Sequence, residues 1–194
     1  MKNTFFTADT HFYHDNIIRH CGRPWKTTDE HNEALISNWN NAVNKGDTVY
    51  LLGDFAMIPA QDNGMPRMKL YRKLRMKLNG RIILIKGNHD QMSQEIYKEC
   101  FSEVHDLREI SVDGQKLTLC HFPMRSWNAS VHGRGHLFGH VHGRLENVDT
   151  GVSCDVGVDV PEWNYTPVAW DVLKIKLQKK CELWMDKVPK FQRN

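Results

Sequence analysis

The sequence predicts an α/β fold, and three observations carry that expectation. Three short apolar runs, residues 2–8, 48–52 and 81–85, are rich in Val, Ile, Leu and Phe and read as strands buried on both faces. Segments of helical periodicity separate them, as crossover helices separate parallel strands. The second half then turns to short strand signals and a hairpin.

Each element has a local reason. Residues 2–8 run apolar up to Asp9. A short helix starts near Asp15. Thr27-Thr28-Asp29-Glu30 is a capping-box pattern, and Leu35, Ile36, Trp39 and Val43 follow at helical spacing, so a helix is expected over 28–44. Thr48 to Leu52 is a strand ending at Gly53-Asp54. Two prolines and a glycine make 56–66 a loop. Leu70, Tyr71, Leu74 and Leu78 line one face of a basic helix stopped by Gly80. Arg81 to Ile85 is the third strand, leading into Gly87-Asn88-His89-Asp90. Asp113-Gly114 sits between Ile110-Ser111-Val112 and Lys116-Leu117-Thr118-Leu119, a hairpin pattern. Residues 136–138 and 156–160 read as strands, and 170–183 fits a helix or a strand.

Composition narrows the class. With 194 residues, 40% hydrophobic and 25% charged, the chain suits one globular domain spanning 1–194. No apolar run approaches the roughly 20 residues of a membrane span. The start carries no signal-peptide pattern, and five cysteines without CxxC spacing suggest neither a disulfide framework nor a thiolate metal site. A cytoplasmic setting is the expectation. A net charge of +3 would help an anionic substrate approach but falls short of a dedicated nucleic-acid binder. Eleven histidines are an excess that asks for an explanation.

Five segments supply it: Asp9-Thr10-His11, Gly53-Asp54, Gly87-Asn88-His89-Asp90, His121, and Gly139-His140-Val141-His142-Gly143. In four of them a hydrophobic run leads straight into oxygen or imidazole donors. Loops at neighbouring strand ends would look like this if they converged on metal. Asp9, His11, Asp54, Asn88, His121, His140 and His142 offer only N and O ligands, a set suited to Mn, Fe, Zn or Ni. Two such ions about 3.5–4 Å apart polarise a phosphoryl group and supply hydroxide, while a nearby imidazole protonates the leaving oxygen.

In order and content these segments resemble the calcineurin-like metallophosphoesterase superfamily, whose motifs run Asp-x-His, Gly-Asp, Gly-Asn-His-Asp/Glu, a separate His and Gly-His-x-His. Residues 7–20 look like the small phosphoesterases of bacteria and their phages, and the resemblance covers residues 4–168. It implies a four-layer sandwich, two packed mixed β-sheets flanked by α-helices. It also implies roles. Asp9, His11 and His142 would hold one metal, and Asn88, His121 and His140 a second. Asp54 would bridge them, and a metal-bridging hydroxide would attack phosphorus in line. His89 would protonate the leaving group, with Asp90 hydrogen-bonded to it. The substrate would be a small phosphodiester or phosphomonoester, nucleotides and cyclic nucleotides among them. Alternatives are a metal-dependent nuclease or a non-catalytic binding module on the same fold. The chain departs from the pattern at Cys120-His121-Phe122-Pro123, where the superfamily often has Gly-His.

Around these motifs, Arg23 is the candidate phosphate-gripping arginine, a solvated surface position being the other reading. His14, Asn88 and His89 are further candidate substrate contacts. His132 and His136 read as loop or strand residues, and Asp155 and Asp159 as structural. Trp127, Trp163 and Tyr165 could stack on a nucleobase, with an aromatic core as the plainer alternative. The basic face over Arg67, Lys69, Arg72, Lys73, Arg75 and Lys77 is the only feature suited to nucleic acid, and it reads first as a solvated face. Oligomeric state has no signal in the sequence.

Overall fold

Buried apolar strands alternating with amphipathic helices build the first half of the molecule. The computed structural model describes residues 2–59, 61–62, 65–145 and 151–187. In chain order the first half is β1 (Thr4–Thr7), α1 (Asp15–His20), α2 (Thr28–Ala42), β2 (Thr48–Leu51), a ribbon of β3 (Gln61–Asp62) and β4 (Met65–Pro66), α3 (Arg67–Lys77), β5 (Arg81–Ile85), α4 (Gln94–Cys100) and β6 (Glu103–His105). The second half supplies β7 (Leu107–Val112), β8 (Gln115–Cys120), β9 (Gly135–Phe138), β10 (Ser153–Asp155), β11 (Val168–Ala169) and α5 (Trp170–Lys187).

The strands form two mixed sheets. In the first, ordered β11-β1-β2-β5-β6, all neighbours are parallel except β11 on β1. In the second, ordered β10-β9-β8-β7, the β7–β8 hairpin is antiparallel and the rest parallel. This is the α/β sandwich of two packed mixed sheets flanked by helices. Phe5, Val49, Leu51, Ile82 and Leu84 face a core shared with Leu35 and Trp39 of α2, Leu74 of α3 and Ile96 of α4. Alternate residues Phe6, Leu52 and Ile85 face a second core with Leu117, Leu119 and Leu137 of the other sheet and Leu173 and Leu177 of α5. Burial of each such side chain contributes about 1.5–3 kcal/mol.

Local signals behave as their chemistry directs. The Thr27 hydroxyl caps α2 by accepting from the Glu30 amide at 3.2 Å. The Asp113-Gly114 turn has φ of 48° and 79°, the left-handed pair of a two-residue hairpin. Leu173 and Leu177, both buried and one helical turn apart, settle 170–183 as helix. Arg75 is not part of a solvated face. It donates to the carbonyls of Leu78, Gly80 and Cys100 and so closes the C-terminal end of α3.

Three expectations are corrected. The strand expected over 156–160 lies at 153–155, and beyond it Gly157 makes an isolated bridge to Ala8. Helix α4 and strand β6 have no counterpart among the expected elements. The loop expected over 56–66 contains the β3–β4 ribbon, with residues 60, 63 and 64 outside the described set. No helix among the described residues is long and apolar enough to cross a membrane.

This topology gathers the polar segments. Parallel β1, β2 and β5 send Asp9, Asp54 and Asn88 out at the same edge, and parallel β8 and β9 do the same for His121 and His140. The carboxyl ends of parallel strands are where such folds place ligands.

Candidate metal centre

Five of the seven candidate ligands have left-handed backbones: Asp9 (φ 57°), His11 (48°), Asp54 (56°), His140 (72°) and His142 (51°). Each such conformation costs on the order of 1–3 kcal/mol and persists only where the surroundings enforce it. Here the enforcement is visible. The amide of Asp9 donates to Gly53 O at 3.0 Å and that of His11 to Asp54 O at 2.9 Å, so the first two loops hold each other. The amide of His140 donates to both carboxylate oxygens of Asp9, at 3.0 and 2.9 Å, tying the last loop to the first.

The donor atoms fall into two groups. Ligand atoms of Asp9, His11 and His142 lie within 4.8 Å of one another, as do those of Asp54, His121 and His140. Asp54 stands between the groups, with Oδ2 3.4 Å from His11 Nε2 and 3.5 Å from His121 Nε2. Asn88 Oδ1 approaches His121 Nε2 at 3.1 Å.

Tautomers follow from the partners. His121 Nδ1 sits 2.8 Å from the Leu52 carbonyl, which can only accept, so Nδ1 carries the proton. Burial holds His121 below its ordinary pKa, and its unprotonated Nε2 then faces two oxygen acceptors. His11 is likewise neutral, its pKa lowered by burial and then by the Arg23 charge. Its Nε2 is buried without a hydrogen-bond partner. Lone pairs facing oxygens, and a buried orphan nitrogen, fit a cation at each group.

Neighbouring glycines make room. A Cβ on Gly87 would meet Asp54 Oδ1 at 2.3 Å, and one on Gly139 or Gly157 would meet Asp9 Oδ2 at 2.6 Å. Gly157 was not among the residues singled out from the sequence.

Several sequence expectations change. Arg23 is not a phosphate contact. Its side chain is buried, and its five N–H donors are taken by Asp159 (2.8 and 2.7 Å), Thr10 O (3.0 Å), Asp9 O (2.8 Å) and His31 Nε2 (2.6 Å). His31 therefore accepts, and burial and Arg23 push its pKa down to about 4. Asp159 in turn accepts a hydrogen bond from His142 Nδ1 at 2.6 Å. A buried residue read as structural thus orients a candidate ligand, in the carboxylate–histidine arrangement of metal sites. Asp155 joins it, accepting from the amides of Gly143 and Gly157.

Asp90 does not hydrogen-bond the His89 ring. Its buried carboxylate accepts from the amides of Asp54 (2.7 Å), Phe55 (2.9 Å) and Gly87 (2.8 Å), stapling the second loop to the third. Burial pushes its pKa up to about 6 against those hydrogen bonds. Trp127 and Trp163 are buried and Tyr165 packs on Trp25 with ring centres 4.7 Å apart, so these rings belong to cores. His136 is a satisfied residue of β9, donating to Thr118 O and accepting from Met124 N, and His132 lies in a 3-10 turn. His89 and Asn88 are exposed at the mouth. The His89 amide donates to Asp54 Oδ1 at 2.9 Å, and its ring centre lies 5.4 Å from His11 and 6.1 Å from His14. His14 Nδ1 meets His11 Nδ1 at 3.2 Å, which puts His14 on the same rim.

No family model matches the chain. It is 33% identical over 183 residues to the uncharacterized protein MJ1445 of Methanocaldococcus jannaschii, covering 93% of each. Among solved structures it resembles the protein of unknown function AQ665 from Aquifex aeolicus, with a TM-score of 0.67 and 25% identity over 91% of this chain and 100% of that one. The nuclease MPE of Pseudomonas putida is more loosely similar, with a TM-score of 0.46 and 20% identity over 72% of this chain and 61% of that one.

Two measurements check this geometry. Arg23→Met leaves Asp159 with His142 alone and the buried carbonyls of Asp9 and Thr10 without their guanidinium donors, and should cost about 3–5 kcal/mol in denaturant unfolding. Unchanged stability would return Arg23 to the surface. His142 has its pKa lowered by burial but raised more by Asp159, to about 10, so at pH 7 it is protonated. In metal-free protein that proton adds stability below pH 6.5, which is lost as pH rises through about 10. A cation at Nε2 must displace it, so metal loading should release about one proton and strengthen about tenfold per pH unit from 7 to 9. Calorimetry in buffers of different ionisation enthalpy reads the release, and none would exclude His142 as a ligand.

Proposed function

We propose that this chain, which belongs to one family with MJ1445, is a metallophosphoesterase: a dinuclear metal-dependent phosphoesterase acting on phosphodiesters. The observation that carries the reading is the place of Asp54, whose Oδ2 lies 3.4 Å from His11 Nε2 on one side and 3.5 Å from His121 Nε2 on the other.

Asp9, His11 and His142 would hold one ion, Asn88, His121 and His140 the other, with Asp54 shared. Two transition-metal ions, of Mn, Fe, Zn or Ni type, would polarise the phosphoryl oxygens and supply hydroxide near neutral pH. The chain's own residues do the rest. His89, exposed beside the donor groups and held through its amide by Asp54, gives a proton to the departing oxygen. His14, joined to His11 and half-buried on the same rim, contacts the phosphate ester. Asp90 fixes the loops that carry Asp54 and Asn88, a positioning role. Exposed Asn88, His89 and His140 leave the site open on one side, which suits a diester with two substituents. A committed nuclease gains little from α3, where Arg72 pairs with Glu99 and Arg75 closes the helix.

Two experiments test the reading. Elemental analysis should find two transition-metal ions per chain and a loss at both positions in Asp54→Ala. One ion in the unmutated protein, or unchanged content in the variant, overturns the dinuclear arrangement. With both metals retained, His89→Asn should lose roughly 10²–10⁴-fold in kcat on an alkyl ester and far less on bis-p-nitrophenyl phosphate, whose leaving group needs no proton. Equal losses on the two would remove the proton-donor role.

A further inference from the structure

On the His121–His140 side of the centre a cavity of about 490 Å³ opens, lined among others by Lys86, Asn88, Gln91, Tyr97, Asp106 and Phe122. Phe122 directly follows His121, and its ring is 44% exposed. Its centre lies 5.0 Å from the His121 ring and 4.8 Å from His140, at interplanar angles of 77° and 65°. Among the described residues it is the one aromatic of the exposed large apolar side chains; the others, Met57, Met76, Leu107, Val172, Ile175 and Leu183, are not aromatic. An apolar π-face held open beside two candidate ligands, as part of a cavity wall, is a binding feature, since it gains nothing from water.

The walls narrow the ligand class. The Gln91 side-chain amide, 3.5 Å from Asn88 O, offers both a donor and an acceptor at the rim. The Lys86–Asp106 pair, at 2.7 Å, adds one charge of each sign. Tyr97 is tied by its hydroxyl to Asp90 O and so forms a fixed wall. A planar group with a π-face and a mixed donor–acceptor edge matches all of these; a glycerol substituent would leave the ring unused, and a choline would engage its face by cation–π contact but leave the donors and acceptors of Gln91 unmatched. We propose that this cavity is a base pocket and that the substrate is a nucleotide ester, its base stacked on Phe122 with its edge toward Gln91. The inference rests on the phosphoesterase reading for the phosphate position, next to Asn88, and adds the substituent.

The test compares AMP with ribose 5-phosphate, which share the phosphate and sugar and differ by the base. Calorimetry on metal-loaded protein should show AMP binding about 5–100-fold more tightly, the range of one base–aromatic stack. Phe122→Leu keeps an apolar side chain without the π-face and should bring the ratio to within about twofold. Phe122→Tyr should restore it, with metal content equal in all three proteins. A ratio near one in the unmutated protein, or an undiminished ratio in Phe122→Leu, overturns the base pocket. Hydrolysis is read separately with bis-p-nitrophenyl phosphate. Turnover without AMP preference removes the pocket and leaves the phosphoesterase, whereas AMP preference without turnover of any ester removes the hydrolase and leaves the pocket.

Discussion

Buried negative charge is the constraint on which the rest of this structure turns. Around the donor groups, Asp9, Asp54 and Asp90 are almost fully out of water, and so is the Asp159 side chain, while Arg23 is the one buried lysine or arginine among the described residues. Leaving any such carboxylate uncompensated would cost several kcal/mol. The chain settles two of the four internally. Asp90 receives three backbone amides, and Asp159 receives the Arg23 guanidinium and the His142 proton. Asp9 and Asp54 receive amides from His140 and His89, yet still direct oxygens at imidazoles. Asp9 is accordingly pushed well above the usual carboxylate range by burial. The two carboxylates that face the donor groups are the two not settled internally, which is why the arrangement suits cations.

The same economy explains the backbone. Five strained ligand residues and three glycines packed against carboxylate oxygens are unfavourable in isolation. They are kept because both sheets end at this point and clamp it. His121 of the second sheet donates to Leu52 beyond the first, and Gly139 N donates back to His121 O. Rigid strands hold each donor, and the strain resides in the turns that aim them.

Legibility in the sequence follows from range. The parallel strands, the capping box and the Asp113-Gly114 hairpin are signalled by residues within one turn or one period, and they appear where the pattern puts them. Strand β10 is set by pairing with β9, not by its own composition, so the apolar run at 156–160 was the more strand-like and the wrong segment. The motif residues came to one place because each motif is short and ends a strand. Arg23 and Asp159 lie 136 positions apart, and nothing local marks them as partners; an arginine beside the motif suggested substrate when its role is to hold the loops. Phe122 was visible only as a departure at Cys120-His121-Phe122-Pro123. Burial, which separates it from Trp127 and Trp163, exists only after folding.

The two donor groups are unlike, and the difference has a direction. His142 is backed by the Asp159 carboxylate, itself fixed by Arg23, whereas His121 is backed by a neutral carbonyl. A carboxylate behind the imidazole makes it the more basic ligand, so on the proposed reading the Asp9–His11–His142 group would hold its ion the more firmly. The other group takes its remaining donors from exposed Asn88 and exposed His140 and opens toward the Phe122 cavity. On the proposed reading, one ion would serve as a fixed part of the fold while the other meets substrate and solvent. The open half of the site is therefore the half whose neighbours, Phe122 and Gln91 above all, can set what is bound, and the closed half is the one tied into the surrounding loops by Arg23, Asp159 and the His140 amide.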